Sequence, residues 1–314
     1  MKLEGIKKIA VAGAGTMGSG IAQVFAQRGY KVVVTDVSEK YLENAKKNIL
    51  VNQSRLIEEN IITQAEAEDA MKNLSFTTDK KAFFDADVII EAIIEKMAIK
   101  QDFWKEVEGI VKEDAILATN TSGLSITEIC QKVKNKGRFV GMHWWNPPYI
   151  IPLIELIKGD ETADETVRVL AELVEKIGKE SVVVLKDVNG FIGNRIQFAV
   201  FREALKIVED GIATVEDVDK AMKYGPGFRY PVLGPFETAD LGGLDTFYYI
   251  SSYLFNKLSN AKKPTPLQQE LMDNKNLGVK SGKGFYDYSD GKGELAMKRR
   301  DKNFFKILKY IHNA

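Results

Sequence analysis

Apolar and polar positions in the first part of the chain follow two rhythms. Residues 6–12 and 31–35 are short apolar runs, the second strongly β-branched, and both read as buried strands. Between them Met17, Ile21, Val24 and Phe25 share one face of a helix over residues 17–28, which Gly29 stops. Residues 39–72 are charged and helix-like, and predict two helices broken near residues 59–63. Further strands are expected at residues 87–91, 115–119, 138–142, 153–157 and 181–185. Strands alternating with helices of this length predict an α/β fold: a doubly wound, mostly parallel sheet covered on both faces.

The rhythm changes after Leu185. Residues 187–193 (DVNGFIG) are turn-rich, and beyond them residues 194–209, 215–224 and 241–258 read as helices with no comparable strand runs. The expected organisation is therefore a Rossmann-type domain over residues 1–187 and a second, all-α domain over residues 188–314.

Composition narrows the class. The chain has 314 residues with 45% hydrophobic and 28% charged side chains, ordinary globular values. Lys+Arg and Asp+Glu are 44 each, which argues against a nucleic-acid-binding surface. One cysteine and two histidines leave no internal disulfide, no cysteine zinc cage and no multi-histidine metal site to expect. No apolar run approaches the roughly 20 residues of a membrane span. Residues 1–8 lead straight into an apolar run and resemble neither a signal nor a transit peptide, so a cytoplasmic protein without membrane partners is expected.

The first chemical signal is the GxGxxG formed by Gly13, Gly15 and Gly18 with Thr16 and Met17 between them. Alone it is weak, but it follows a strand, opens a helix and precedes a second strand ending at Asp36. In that setting Gly13 makes the tight turn, Gly15 lets a pyrophosphate approach the backbone, and Gly18 allows close helix–strand packing. The unpaired amides at the helix N-terminus bind the phosphates. A carboxylate at position 36 accepts from ribose hydroxyls and repels a 2′-phosphate, which favours NAD over NADP.

The second signal is His143, at the carboxyl end of the strand over residues 138–142, where α/β sheets place their ligands. Glu155 lies in the apolar run that follows, and a carboxylate there needs a partner. From the residues alone the pair is either a structural hydrogen bond or a catalytic dyad. His312, near the end of the sequence, is expected to be frayed.

The stretch 139–155 (FVGMHWWNPPYIIPLIE) resembles the signature of the L-3-hydroxyacyl-CoA dehydrogenase family. Four more segments match it in order: 88–95 (VIIEAIIE), 118–126 (ATNTSGLSI), 189–195 (NGFIGNR) and 278–288 (GVKSGKGFYDY). The resemblance implies that His143 is the general base, that Glu155 orients it, and that Ser122 and Asn194 hold the reacting oxygen. It also implies that Glu95 and Lys100 lie beside the nicotinamide half of NAD, that the chain acts in fatty acid metabolism, and that it forms a homodimer. The expected reaction is reversible oxidation of the 3-hydroxyl of a 3-hydroxyacyl-CoA.

Three departures point to an alternative, a free 3-hydroxy acid. Glu58 and Glu59 stand in the turn where acyl-CoA members usually carry basic residues. His143 is followed by Trp-Trp-Asn-Pro-Pro rather than Phe-Phe-Asn-Pro, closer to L-gulonate and L-carnitine dehydrogenases. Arg229, in residues 224–235 (YGPGFRYPVLGP), would bind a substrate carboxylate, unless it pairs with Glu237 or Asp240. A retired dehydrogenase serving as a lens-crystallin-like structural protein is the non-enzyme alternative. Trp144 and Trp145 read as core or rim packing, and Cys130 as a small buried hydrophobe. Residues 298–311 form a basic, amphipathic helix expected to pack on the body or on a second subunit.

Overall fold

The computed structural model describes residues 2–313, without the side chains of 312 and 313. Two compact units divide at Asn194/Arg195. The sequence pattern put the change at residue 188. The difference is the turn over residues 189–193, whose amides bond into the first unit.

The first unit runs β1 (Lys8–Ala12), α1 (Thr16–Gln27), β2 (Lys31–Thr35), α2 (Glu39–Glu58), α3 (Gln64–Lys72), β3 (Leu74–Thr77), β4 (Val88–Glu91), α4 (Met97–Glu108), β5 (Ile116–Thr119) and α5 (Ile126–Ile129). It continues with β6 (Phe139–Trp144), β7 (Leu153–Ile157), α6 (Asp164–Lys176), β8 (Glu180–Val184) and the start of α7 (Gly193–Glu209). The strands form one eight-stranded sheet in the order β3-β2-β1-β4-β5-β6-β7-β8. All neighbours are parallel except β6 and β7. Side chains alternate across the pleat as the strand period requires. Ile9 and Val11 enter one core with Phe25, Val34 and Leu170, while Ala10 and Ala12 enter the other with Ile89, Trp104 and Phe139. Both faces are thus covered, as expected for a doubly wound sheet. The strand order reverses beside β1, which opens a ligand crevice at the carboxyl ends of β1 and β4.

Among the strands, β3 is the one the pattern missed: it is a half-buried edge strand carrying Ser75 and Thr77. The break between α2 and α3 is made by Asn60, in the left-handed region at φ 55°.

The second unit is helical: the rest of α7, α8 (Val215–Tyr224), α9 (Pro226–Arg229), α10 (Pro235–Gly242), α11 (Leu244–Leu254), α12 (Pro266–Asp273) and α13 (Lys292–Asn313). Its only extended pairings among the described residues are isolated bridges at Gly278, Lys283 and Asp287. The helix expected over residues 241–258 is split, because Gly243 at φ 91° ends α10 and opens α11. Helix α13 starts earlier than the basic stretch predicted, and buries Phe305. Its His312 side chain lies outside the described residues.

Candidate active site

The dinucleotide cradle is built by β1, α1 and β2. Gly13 takes φ 99°, and a Cβ there would lie 2.4 Å from the carbonyl oxygen of Ala92, so turn and packing both demand glycine. A Cβ on Gly18 would fall 1.8 Å from the oxygen of Gly13, the close helix–strand approach the motif predicted. Gly15 faces open space, and no side chain caps α1 behind it. The amides of Thr16, Met17 and Gly18, with the positive end of the helix dipole, are left for an anion. Asp36 closes the cradle: its Oδ2 accepts from Ala14 N at 2.7 Å and its Oδ1 from Val37 N at 2.7 Å. These residues fit the pyrophosphate and ribose of a dinucleotide.

A buried charge network supports the segment after β4. Glu91 is fully buried, and it accepts from Lys100 Nζ, from Thr119 Oγ1 at 2.7 Å, from Trp104 Nε1 at 3.3 Å and from Ile93 N at 3.0 Å. Lys100 is itself 0% exposed and also pairs with Glu95 at 3.2 Å. Glu95 accepts from Thr121 Oγ1 and from Ser122 N at 2.8 Å. Of the two residues expected beside the nicotinamide, Glu95 is exposed and Lys100 stands behind it. Ser122 is exposed, and its carbonyl accepts from Asn194 Nδ2 at 2.9 Å, so the two expected holders of the reacting oxygen are joined to each other.

His143 and Glu155 meet across β6 and β7, with Nδ1 and Oε2 2.7 Å apart. Both are buried. Glu155 Oε1 accepts from the amides of Ile192 and Gly193 at 3.0 and 2.9 Å, and Oε2 also accepts from Trp145 Nε1 at 3.3 Å. Burial by itself raises the Glu155 pKa, but the imidazole and the two amides outweigh it and hold the carboxyl below its usual range. An ionised carboxylate can only accept, so His143 Nδ1 carries a proton, and in the neutral ring the lone pair is on Nε2. Gly190 (φ 80°) and Phe191 (φ 53°) are both left-handed, a strained turn that aims the two amides at Glu155. Phe191 is buried, with its ring 5.6 Å from the imidazole.

The tryptophans separate. Trp144 is a core residue, edge-on to Phe25 at 5.8 Å, whereas half-buried Trp145 is bonded to Glu155. That bond was not anticipated; an indole N–H two positions after His143 was the available signal. Cys130 is buried, and desolvation pushes its thiol up to about 11, which leaves it inert. Arg229 lies in the second unit, exposed at the end of α9. Among the described residues no ion pair joins it to Glu237 or Asp240, and Glu237 accepts from Gly234 N instead. No cluster of metal-ligating side chains occurs among the described residues, and no described helix is long and apolar enough to cross a membrane.

An anion cradle and a buried, oriented imidazole, both at the carboxyl edge of one doubly wound sheet, define an NAD-dependent dehydrogenase. The chain belongs to the 3-hydroxyacyl-CoA dehydrogenase family: residues 8–188 match its NAD-binding domain and residues 190–288 its C-terminal domain. It is 36% identical over 307 residues to a 5-formyl-3-hydroxy-2-methylpyridine 4-carboxylate 5-dehydrogenase from Mesorhizobium japonicum, covering 98% of each chain. It is 40% identical over 282 residues to a probable 3-hydroxybutyryl-CoA dehydrogenase from Deinococcus radiodurans, covering 90% of this chain and all of the other. A crystal structure of a 5-formyl-3-hydroxy-2-methylpyridine 4-carboxylic acid 5-dehydrogenase, described as an NAD+-dependent dismutase, superposes with a TM-score of 0.91 at 35% identity, covering 98% of this chain and 99% of that one.

Proposed function

We propose that this chain oxidises the hydroxyl-bearing carbon of a free, carboxylate-bearing substrate, with His143 as general base and Glu155 as its orienting partner. The 2.7 Å contact between His143 Nδ1 and Glu155 Oε2 carries the chemistry, because it fixes Nε2 as the proton acceptor. His143 Nε2 takes the proton of the substrate hydroxyl, and Glu155 stabilises the imidazolium that results. Ser122 and Asn194 hold the reacting oxygen as its charge changes. NAD, when bound, supplies the hydride acceptor. Gly13, Gly15, Thr16, Met17 and Gly18 hold its pyrophosphate, Asp36 its ribose, and Glu95, backed by Lys100, borders its nicotinamide half.

Two observations favour a free acid. Glu58 is exposed where α2 ends, and an acidic group there disfavours the phosphates of a coenzyme A ester. The relative that matches 98% of this chain is named for a pyridine 4-carboxylate, while the 3-hydroxybutyryl-CoA relative matches 90% of it. Arg229 is assigned to the substrate carboxylate, and a homodimer is the expected assembly. The second reading, a 3-hydroxyacyl-CoA, is favoured by the 40% identity to that relative.

The test is a panel of free 3-hydroxy acids, carboxylated aromatic aldehydes and 3-hydroxyacyl-CoA esters at fixed NAD, followed by nicotinamide absorbance. Turnover on free acids or aldehydes with none on the esters supports the first reading; the reverse establishes the second. Arg229→Met should then lose efficiency selectively on carboxylated substrates. His143→Ala should bind NAD normally and lose two to four powers of ten in turnover, roughly the contribution of a general base. Wild-type turnover in that variant would refute the assignment of the base.

A further inference from the structure

We infer that Trp145 is a positioning residue for the His143–Glu155 pair: its indole N–H shares the carboxylate oxygen that the imidazole uses, and so limits how firmly Glu155 holds the protonated base. The inference deepens the function proposed above and rests on it.

Four donors converge on Glu155. Oε1 takes the amides of Ile192 (3.0 Å) and Gly193 (2.9 Å), and Oε2 takes His143 Nδ1 (2.7 Å) and Trp145 Nε1 (3.3 Å). A carboxylate offers about four lone-pair sites, so this one is saturated. The indole is fixed in place. A Cβ on Gly193 would lie 2.3 Å from Trp145 Cζ2, so the ring rests directly on the backbone there. Its six-membered edge thus leans on the start of α7 while its N–H reaches Glu155, with the ring centre 5.5 Å from the imidazole.

The charged surroundings are sparse. Strand β6 brings His143, β7 brings Glu155, and β8 faces Glu155 in register with Val182. The turn before α7 brings Asn189, Gly190, Phe191, Ile192 and Gly193, none of them charged. The segment after β4 adds Glu95, already held by Lys100 and by Thr121 and Ser122 of the segment after β5. The indole is therefore a neutral donor in direct competition with the imidazole for Oε2.

Trp145→Phe tests this. Removing the N–H leaves more charge on Oε2 for His143, which favours the cation. The rising limb of kcat/KM for oxidation should move to higher pH by about half a unit to one unit, the effect of one long hydrogen bond to a charged group. Rates below the limb should fall about three- to tenfold. The chain has two histidines, so a His312→Asn background leaves one imidazole in a 15N-labelled spectrum. Its Nδ1 proton should move further downfield in Trp145→Phe. Should that variant not fold, Gly193→Ala pushes the indole aside with Trp145 retained, and must move the signal the same way. An unchanged profile with an unchanged Nδ1 proton overturns the inference. A shifted Nδ1 proton in a protein that turns over no substrate keeps the tuning and discards the proposed function.

Discussion

His143 and Glu155 stand directly opposite each other in the antiparallel register of β6 and β7. This is the one antiparallel pairing in the sheet. Opposed residues of antiparallel strands have close Cβ atoms, so the pairing itself delivers the acid to the imidazole.

Glu155→Gln keeps the shape and removes the charge that defines the tautomer. With NAD affinity unchanged, kcat/KM should fall about 10²- to 10⁴-fold in steady-state assays. The variant also tests acid stability. The folded Glu155 carboxyl titrates below its unfolded value, so its contribution is present above the ordinary carboxylate range and is lost as pH falls through the folded value. The difference in unfolding free energy between wild type and variant should therefore shrink below about pH 4.

Asp36→Ala should cost NAD more than NADP. The variant loses an acceptor for the ribose and the charge that repels a 2′-phosphate, and it frees the amide of Ala14. The KM for NAD should rise about ten- to a hundredfold, as for loss of a hydrogen bond to a charged group. Unchanged selectivity in a cofactor competition assay would place the ribose elsewhere.

Lys179 is buried, and its Nζ donates to the carbonyls of Pro148 (2.8 Å) and Ile151 (2.7 Å) in the loop joining β6 to β7. Burial, aided by the charge of Arg28, pulls its pKa down to about 7. Between that value and about 10.4 the unfolded chain holds a proton the folded chain lacks, so stability rises with pH across this window. The gain is up to about 5 kcal/mol and is absent below pH 7, where both states are protonated. Lys179→Met should lack this slope when urea unfolding is compared at pH 7 and pH 10.

Lys100→Met strands the buried carboxylate of Glu91. Breaking a buried pair on one side costs about 3–5 kcal/mol, whereas replacing both partners costs far less. The Glu91→Gln/Lys100→Met double variant should recover much of the stability in a urea double-mutant cycle. Additive losses would show that Glu91 is satisfied without the ammonium.

Local signals exposed much of this site. The glycine loop, its helix and the carboxylate of Asp36 follow from spacing, because each role is served within one β–α–β unit. The pairing of His143 with Glu155 was also open to arithmetic. The residues between β6 and β7 number eight (145–152), too few for a crossover helix, so the strands had to run antiparallel. Other features depend on contacts that the local pattern does not reveal. Trp145 gains its role from the backbone at Gly193, and Lys100 from Glu91 across the β4–α4 connection. The edge strand β3 was hidden because an edge needs no continuous apolar run.

The seclusion of Lys100 has a chemical corollary. Acylating reagents reach amines through solvent, so this side chain should remain unmodified while exposed lysines react. Its slow capture would then time the rare opening of the β4–α4 connection, giving a clock for breathing motions that a static picture cannot supply.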